Sequence, residues 1–359
     1  MKIYIVTGEF SGDIHAANLV HELKSLHSNL MIRAWGGKRL IEEGVEIAKS
    51  IDNTAFMGIW DVVKNFNIIR KNLTYCKQDI LEYKPNAIIL VDYPGFNLKI
   101  AKFAKQNSIK VFYYISPKVW AWNKSRAYKI KKYVDELLVV FPFEVDFYKK
   151  IGIKATYVGN PLLDEMSSSN INFDFKKEKP ILALLPGSRK QEINSVFPEM
   201  LKIVEYFPNY QFVVAGVPAF DEKYYQSFIK EKNVSIIFNQ TYGLIKNAKA
   251  ALVTSGTASL EAALFKLPQV VCYKTNWITY ILAKILIKTR FISLVNILMN
   301  KLVVSELIQA DCNKENIKNE LQAVLNQNEK ILSDYDSVIN LLNKEGASKN
   351  AAQIIMQSI

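Results

Sequence analysis

The chain has 359 residues, half of them hydrophobic, and a formal net charge of +12 from 46 lysine and arginine residues against 34 aspartate and glutamate residues. This length exceeds the size at which single hydrophobic cores usually stop growing, so we expect two domains. No apolar run approaches the roughly 20 residues that a membrane-spanning helix needs, and the N-terminus lacks the apolar region of a signal peptide. We therefore expect a cytoplasmic protein.

Charge and cysteine content limit the kinds of partner and of cysteine site that the protein can have. The basic balance favours an anionic partner but does not identify it. Cys76, Cys272 and Cys312 are scattered and have no CxxC spacing, which argues against a disulfide framework and against structural zinc. We expect reduced thiols.

Strand-like apolar runs alternate with helical patterns through both halves of the chain, which is typical of doubly wound parallel sheets. In chain order, the predicted strands are 2–7, 32–35, 87–92, 110–115, 136–140, 155–158, 181–185, 211–215, 234–238, 250–254 and 269–273. The polar stretch 164–179 lacks periodicity and is interpreted as a linker. The pattern predicts two Rossmann-like α/β domains, 1–165 and 166–344, facing across a cleft, with a last helix at about 345–359 able to pack back on the first domain.

In the first half, Asp92 ends the apolar strand AIILV and precedes Pro94. Ligands of open α/β sheets bind at the carboxyl ends of strands, so its carboxylate is a candidate for acid–base chemistry, and an Asx-type turn before proline is the alternative. The segment GEFSGD matches neither the dinucleotide fingerprint nor the P-loop. It contributes Glu9 as a second candidate, whereas Asp13 is expected to cap a helix that begins near Ile14.

Two loops in the second half have the pattern of phosphate-binding turns. In LLPGSRKQEI a strand ends in a Pro-Gly turn just before a helix, and in TSGTASLEAAL a strand enters a small-residue turn and then a helix that contains Glu261. Backbone N–H groups at helix starts bind anions, and a guanidinium adds charge. The alternative is an ordinary βα turn with a solvated arginine. The candidate residues are Gly187, Ser188, Arg189, Ser255, Gly256 and Thr257.

The segment 118–132 mixes Trp120, Trp122 and Tyr128 with several basic residues. This mixture suits single-stranded nucleic acid and equally suits an anionic membrane surface. The histidines lie six residues apart on one predicted helix and cannot share a face. No specific metal site emerges from the sequence.

Several segments, in order and over nearly the whole chain, resemble the lipid A disaccharide synthase family. These segments are GEFSGD, FMGIWDVV, VDYPGFN, YYISPKVWAW, FPFE, VGNPLLD, LLPGSRKQEI, TSGTASLE and ISLVNILMNKLVVSELIQ. The resemblance implies an inverting glycosyltransferase of the GT-B type. Such an enzyme joins UDP-2,3-diacylglucosamine to 2,3-diacylglucosamine 1-phosphate (lipid X), releases UDP and takes part in lipid A biosynthesis without a metal or other cofactor. Asn160, Val295 and Gly95 depart from the family pattern.

The same resemblance implies roles for individual residues. Asp92 is the leading candidate for the general base and Glu9 the reserve. The donor nucleotide is assigned to Arg189, to the turn that leads to Glu261, and to Asn296 and Gln309. The acceptor and its acyl chains are assigned to an apolar stretch that comprises Phe56, Met57, Ile59, Trp60, Val63 and Phe66. A core or dimer-interface helix is the alternative for this stretch.

A lipid substrate further implies peripheral association with the anionic cytoplasmic face of the inner membrane, no nucleic-acid partner and a possible homodimer. The stretch 277–302 fits lipid contact or a subunit interface. Two alternatives stay open: another UDP-sugar enzyme of the same fold, such as a UDP-N-acetylglucosamine 2-epimerase, and a non-catalytic nucleotide- or nucleic-acid-binding protein.

Overall fold

The computed structural model describes residues 1–51, 66–120, 124–168, 171, 173–231, 233–277, 280–281, 284 and 289–359. The chain divides into two compact units, of which the first comprises Met1–Glu165 and Lys344–Ile359, and the second Met166–Asn343. Each unit is built on a parallel sheet, so the predicted α/β architecture is confirmed.

The first unit contains a seven-stranded parallel sheet with strand order β3-β2-β1-β4-β5-β6-β7. Its strands are β1 Lys2–Val6, β2 Met31–Gly36, β3 Glu46–Ser50, β4 Ala87–Val91, β5 Lys110–Tyr114, β6 Glu136–Val139 and β7 Ala155–Tyr157. Its helices are α1 Phe10–Leu26, α2 Lys38–Glu42, α3 Phe66–Tyr83, α4 Pro94–Gln106, α5 Lys124–Tyr133, α6 Pro142–Lys150, α7 Pro161–Ser168 and, from the end of the chain, α15 Ala347–Ser358.

The apolar run AIILV forms central strand β4 because every residue of it is buried, as expected for a parallel strand covered on both faces. β4 pairs with β1, where Val6 lies opposite Leu90, and with β5, where Val91 lies opposite Tyr114. Parallel pairing aligns the carboxyl ends of these strands. The loops that follow β1, β4 and β5 therefore meet at one edge of the sheet.

Helix α15 returns to the first unit and packs against α1. The Asp164 carboxylate accepts hydrogen bonds from the backbone N–H groups of Gly346 and Ser348, at 2.9 and 3.2 Å. The Lys344 ammonium donates to the Tyr157 carbonyl at 2.6 Å. Asp164 lies inside α7, so the prediction that the linker begins at this residue is wrong.

The second unit contains a six-stranded parallel sheet with strand order β10-β9-β8-β11-β12-β13. Its strands are β8 Ile181–Leu185, β9 Gln211–Gly216, β10 Val234–Phe238, β11 Ala248–Thr254, β12 Gln269–Tyr273 and β13 Ser305–Ile308. Its helices are α8 Lys190–Leu201, a 3-10 turn Val204–Tyr206, α9 Glu222–Gln226, α10 Thr241–Asn247, α11 Thr257–Leu264, α12 Leu294–Met299, α13 Lys314–Asn326 and α14 Glu329–Leu342.

All predicted strands are present, with ends that differ by up to two residues, and β3 and β13 are additional edge strands. The three cysteines are free and buried, as expected for reduced core thiols. Among the residues that the structure describes, no helix has the length and apolar character needed to cross a bilayer.

Candidate functional site

At the carboxyl edge of the first sheet, Glu9 follows β1 and Asp92 follows β4, and the Tyr93 ring packs against Gly8. A Cβ atom at Gly8 would overlap that ring, so the close approach requires glycine. Burial is the larger cause of the raised pKa of Tyr93, and the negative charge of Glu9 raises this pKa further. Asp92 and Tyr93 both have φ of 45°. Consecutive left-handed residues without glycine are strained, and such strain clusters at functional sites.

The backbone of Asp92 is fixed from several directions. Its N–H donates to the Tyr114 carbonyl at 3.2 Å, and its own carbonyl accepts from the Tyr113 hydroxyl at 2.6 Å and the Asn97 amide at 2.8 Å. The backbone N–H of Tyr93 also donates to the Asp92 carboxylate. The residue as a whole is half-buried at the end of β4.

Charge around the Asp92 carboxylate is positive. Burial raises the pKa of Asp92, and Lys118, His15 and Arg126 offset part of that rise through their charge. Lys118 is exposed on the loop after β5, whereas Arg126 is half-buried on α5, where desolvation lowers its pKa. A carboxylate with a raised pKa among cations can exchange protons while an anionic group is held nearby.

Glu9 and Asp13 differ from the expectation for this segment. Helix α1 begins at Phe10, so Glu9 is its N-cap residue, in an extended conformation and without a side-chain cap. The prediction that Asp13 caps α1 is wrong. Its buried carboxylate accepts from the backbone N–H groups of Gly37 at 2.6 Å and Arg39 at 2.9 Å, at the start of α2. Glu9 is half-buried and stays a candidate for acid–base chemistry.

In the second unit, the turn after β8 is occupied by a carboxylate of the chain itself. Glu192 Oε2 accepts from the backbone N–H groups of Ser188 and Arg189, at 3.2 and 3.3 Å. The same carboxylate accepts from Arg189 Nη1 at 3.2 Å through Oε1. Gly187 has φ of 105°, and a Cβ there would lie 2.7 Å from Glu192 Oε2. The turn therefore binds a carboxylate with the donors predicted to hold phosphate.

Hydrogen bonds from two serine side chains fix the turn after β11, and the space beside Gly256 is open. The Ser255 hydroxyl donates to the Ile292 carbonyl, and that of Ser259 to the Gly256 carbonyl, both at 2.9 Å. A Cβ at Gly256 would find no atom within 4 Å, which leaves room next to the start of α11. The Thr254 hydroxyl is buried and has no hydrogen-bond partner among the residues that the structure describes. Exposed Thr257 and half-buried Glu261 follow on α11.

Asn296 is fully buried, and its side chain binds other parts of the chain. Its amide donates to the Val304 carbonyl at 2.9 Å and to Glu306 at 2.8 Å, and its carbonyl oxygen accepts from two backbone N–H groups. Glu306 also accepts from the Ile292 N–H at 3.0 Å. These bonds hold the loop whose Ile292 carbonyl accepts from Ser255. Asn296 thus supports the turn after β11 indirectly.

Gln309 also binds the backbone. Its side-chain oxygen accepts from the Thr275 N–H at 2.8 Å, and its amide donates to the Thr275 carbonyl at 3.1 Å. Its φ of 53° places it in the left-handed region. Gln309 therefore fixes the loop after β12 at the carboxyl edge of the second sheet. Half-buried, it keeps a surface that a ligand can reach.

The predicted lipid-contacting residues Phe56, Met57, Ile59, Trp60 and Val63 lie outside the described residues. Phe66 is the first residue of α3, and its side chain is not described. Most of 278–288 is likewise outside the described ranges. Asn160, which departs from the family pattern, is buried, and its amide donates to the Val140 carbonyl at 3.2 Å.

Sequence reasoning missed three carboxylates and one lysine. Glu192 and Glu306 occupy the positions given above, Lys118 lies near Asp92, and Glu144 is almost fully buried beside the loop after β5. All four belong to segments whose resemblance to the family was recognised. Their partners lie on other elements or across a turn, so the segment alone does not reveal their roles.

A basic groove of about 470 Å³ lies between α3, α4 and α5 in the first unit. Four lysines line it, together with leucine, glutamine and aromatic side chains, and no acidic residue is among its described lining residues. The lysines are Lys77, Lys99, Lys102 and Lys129. The stretch 94–133, which includes α4 and α5, has ten lysine and arginine residues and no aspartate or glutamate. This face of the first unit is strongly cationic.

Comparisons with known proteins agree on family and fold. A family model described as lipid-A-disaccharide synthetase matches residues 3–358. The lipid-A-disaccharide synthase 1 of Legionella pneumophila (strain Lens) is 35% identical over 365 residues, which cover 98% of this chain and 94% of that protein.

Two solved structures share the fold at low identity. The glycotransferase of kitacinnamycin has a TM-score of 0.69 at 12% identity and covers 99% of this chain and 98% of its own. A UDP-GlcNAc 2-epimerase from Neisseria meningitidis, bound to UDP-GlcNAc, has a TM-score of 0.66 at 15% identity and covers 100% and 99%. At these identities the structures show the fold alone, whereas the family match extends over nearly every residue. The chain belongs to the lipid-A-disaccharide synthetase family and is a glycosyltransferase.

Proposed function

We propose that the chain transfers 2,3-diacylglucosamine from UDP-2,3-diacylglucosamine to the 6-hydroxyl of 2,3-diacylglucosamine 1-phosphate, with inversion and release of UDP. The observation that carries the proposal is the Asp92 carboxylate, which lies at a strand end on strained backbone, with a raised pKa and cations around it. Membership of the family supports the choice of both substrates.

On the acceptor side, Asp92 acts as the general base. As the acceptor 6-hydroxyl attacks the anomeric carbon of the donor, its proton moves to the Asp92 carboxylate. The new glycosidic bond forms while the bond from that carbon to the UDP oxygen breaks. Lys118 and Arg126 supply positive charge near the base, which suits an acceptor that carries a phosphate. Glu9 is the reserve base.

On the donor side, the diphosphate binds at the turns that precede α8 and α11. Arg189 and the N–H groups of Ser188 and Arg189 already hold a carboxylate, so they can hold a phosphate once Glu192 moves aside. These groups stabilise the negative charge that UDP carries when it leaves. The open space at Gly256 and the unpartnered Thr254 hydroxyl support a second contact at the start of α11. No metal is required by this scheme.

An assay with both acylated sugars tests the proposal. Disaccharide and UDP are expected in equal amounts, and EDTA is expected to leave the rate unchanged. A parallel incubation with UDP-N-acetylglucosamine alone tests the epimerase alternative, for which the fold likeness is the only support. Formation of an epimer, or absence of disaccharide from correctly folded protein, would overturn the proposal.

We also propose that the first unit docks on an anionic bilayer, because both sugar substrates carry acyl chains. The lysine groove between α3, α4 and α5 supports this surface, since clustered lysines near a membrane each contribute about 1 kcal/mol of attraction to anionic lipid. Tyr128 adds an aromatic ring, 69% exposed, on the same groove.

A further inference from the structure

Glu144 is a buried carboxylate for which the proposed chemistry has no direct use. It lies in the first turn of α6 and is only 1% exposed. Its Oε1 accepts from the Ser116 hydroxyl at 2.7 Å and from the Trp120 indole N–H at 3.2 Å. Its Oε2 accepts from the Phe141 N–H at 3.1 Å. One carboxylate therefore joins the start of α6 to both ends of the 116–120 segment.

The segment that Glu144 holds begins with strained backbone. Ile115 has φ of 62°, an unfavourable conformation for a β-branched residue. Strain of this kind persists only when surrounding contacts over-determine it. Further contacts come from the Tyr148 hydroxyl, which donates to the Pro117 carbonyl at 3.3 Å, and from the edge-to-face pair of Trp120 and Phe143, with centroids 5.0 Å apart.

This segment carries Lys118, the cation with the largest effect on Asp92. Lys118 is exposed, so its position depends on the backbone from which it extends. That backbone is fixed on one side by Ser116 and on the other by Trp120, and both side chains donate to Glu144. Glu144 therefore fixes the backbone that carries Lys118.

The bond from the Phe141 N–H to Glu144 is an ordinary helix cap, with Glu144 at the third position of α6. The bonds from Ser116 and Trp120 come from another segment, and a buried carboxylate is tolerated because such donors compensate for the loss of water. Burial raises the pKa of Glu144 to about 7 against the lowering effect of its hydrogen bonds. Its surroundings contribute Ser116 and Trp120 from the loop, and Tyr148 and the Phe141 N–H from α6 and its N-cap.

We propose that Glu144 is a positioning residue for the glycosyl transfer, which holds the loop 115–120 in its strained form so that Lys118 stays beside Asp92. The inference rests on the proposed role of Asp92 as general base. Loss of the Glu144 carboxylate is expected to change the pKa of Asp92 through Lys118 and not through direct contact.

The pH dependence of kcat/KM tests this route with Glu144→Gln, Lys118→Met and the double variant. Loss of a nearby cation raises the pKa of a carboxylate. The acidic limb of the profile is therefore expected to move to higher pH, by about half a pH unit to one, in both single variants. The double variant should show no further shift, because both changes remove the same interaction. Lys149→Met, an exposed lysine on α6, is the matched control and should leave the limb in place.

Folding is checked by circular dichroism and by the emission of Trp120, compared with a Trp120→Phe variant. Trp120→Phe is the second variant, for use if Glu144→Gln fails to fold. It removes the indole donor to Glu144 and is expected to move the acidic limb of the kcat/KM profile in the same direction, by a smaller amount. An unmoved limb in a folded Glu144→Gln protein, or additive shifts in the double variant, would overturn the inference. A wild-type rate in Asp92→Asn would instead refute the base, and absence of disaccharide in the wild type would refute the proposed reaction.

Discussion

Arg189 Nη1 lies 3.2 Å from Glu192 Oε1 across the first turn of α8, and the second oxygen of the same carboxylate accepts the backbone N–H groups of Ser188 and Arg189. The capping carboxylate and a bound phosphate would therefore compete for the same donors. Under the proposed function, a diphosphate would replace the Glu192 carboxylate at this turn, so a change at either residue should alter UDP binding.

Arg189→Lys is expected to lower UDP affinity and turnover, each by about tenfold or more, since lysine keeps the charge but loses the planar pair of donors. Isothermal calorimetry with UDP and steady-state kinetics measure the two effects. Arg39→Lys is the matched control, because Arg39 forms the same i,i+3 pair with Glu42 on α2, at 3.1 Å. Unchanged UDP affinity and turnover in Arg189→Lys would remove Arg189 from the donor site.

Glu192→Gln should have the opposite effect on the affinity for UDP. The neutral side chain no longer competes as an anion for Ser188 and Arg189, so UDP binding is expected to strengthen by a few-fold, about 1 kcal/mol or less. The same change weakens the cap of α8 by about 1 kcal/mol, which lowers the melting temperature of the free protein. Tighter UDP binding together with a lower melting temperature would show that Glu192 competes with UDP. General damage to the fold would weaken both binding and stability. Weaker UDP binding would show that Glu192 helps to hold the nucleotide.

Asp92→Asn is expected to reduce turnover by roughly 100- to 10,000-fold while the fold is retained, because a general base is removed without a change of shape. Single-turnover assays with both substrates measure the chemical step, and near-ultraviolet circular dichroism checks the fold. Glu9→Gln is the comparison, since Glu9 is the reserve base at the same edge of the sheet. A large loss in Glu9→Gln with little loss in Asp92→Asn would exchange the roles of the two carboxylates.

Glu144 should also leave a signature in the pH dependence of stability. Burial raises its folded-state pKa from 4.5 to about 7, so between these values the folded protein binds the proton more tightly than the unfolded chain. The contribution favours folding at low pH and is lost as the pH rises through about 7, by an amount on the order of 2–3 kcal/mol. Glu144→Gln removes the ionisation. Urea unfolding from pH 5 to 8 should therefore show a gain in the relative stability of the variant as pH rises, and parallel curves would contradict the raised pKa.

Prediction from sequence worked best where local pattern and burial agree. The runs AIILV and ILALL were predicted as strands because parallel central strands are apolar throughout, and every residue of both is buried. Edge strands β3 and β13 escaped prediction, since EIAKS and SELI have polar residues and neighbours on one side only. Pattern alone cannot distinguish such segments from loops.

For the candidate site, the sequence predicts which residues lie at strand ends and does not predict their contacts. Strand ends pointed to Asp92 and Arg189, but Asp13 was expected to cap its own helix and instead binds Gly37, 24 residues along the chain. Asn296 was assigned by resemblance to the nucleotide and is fully buried against Val304 and Glu306. Partners of buried polar groups depend on the tertiary fold, which short motifs do not encode.

The first unit has two candidate surfaces for binding to a membrane. One is the lysine groove of the first unit, and the other is the apolar stretch 56–66 expected from resemblance to the family. A Lys99→Glu, Lys102→Glu variant tests the groove, and a Trp60→Ser, Phe66→Ser variant tests the apolar stretch. Lys223→Glu, Lys330→Glu, with exposed lysines of the second unit, is the matched control for a change of net charge.

Co-sedimentation with vesicles that contain phosphatidylglycerol measures binding. Reversal of two groove lysines is expected to weaken binding by on the order of tenfold or more, because each lysine near an anionic surface contributes about 1 kcal/mol. Binding of the wild-type protein to the vesicles should fall with added salt, since the attraction is screened over about 10 Å at 0.1 M. Loss of binding in the serine variant alone would place docking on the apolar stretch. Equal losses in the groove and control variants would show that net charge, and not the groove, determines binding.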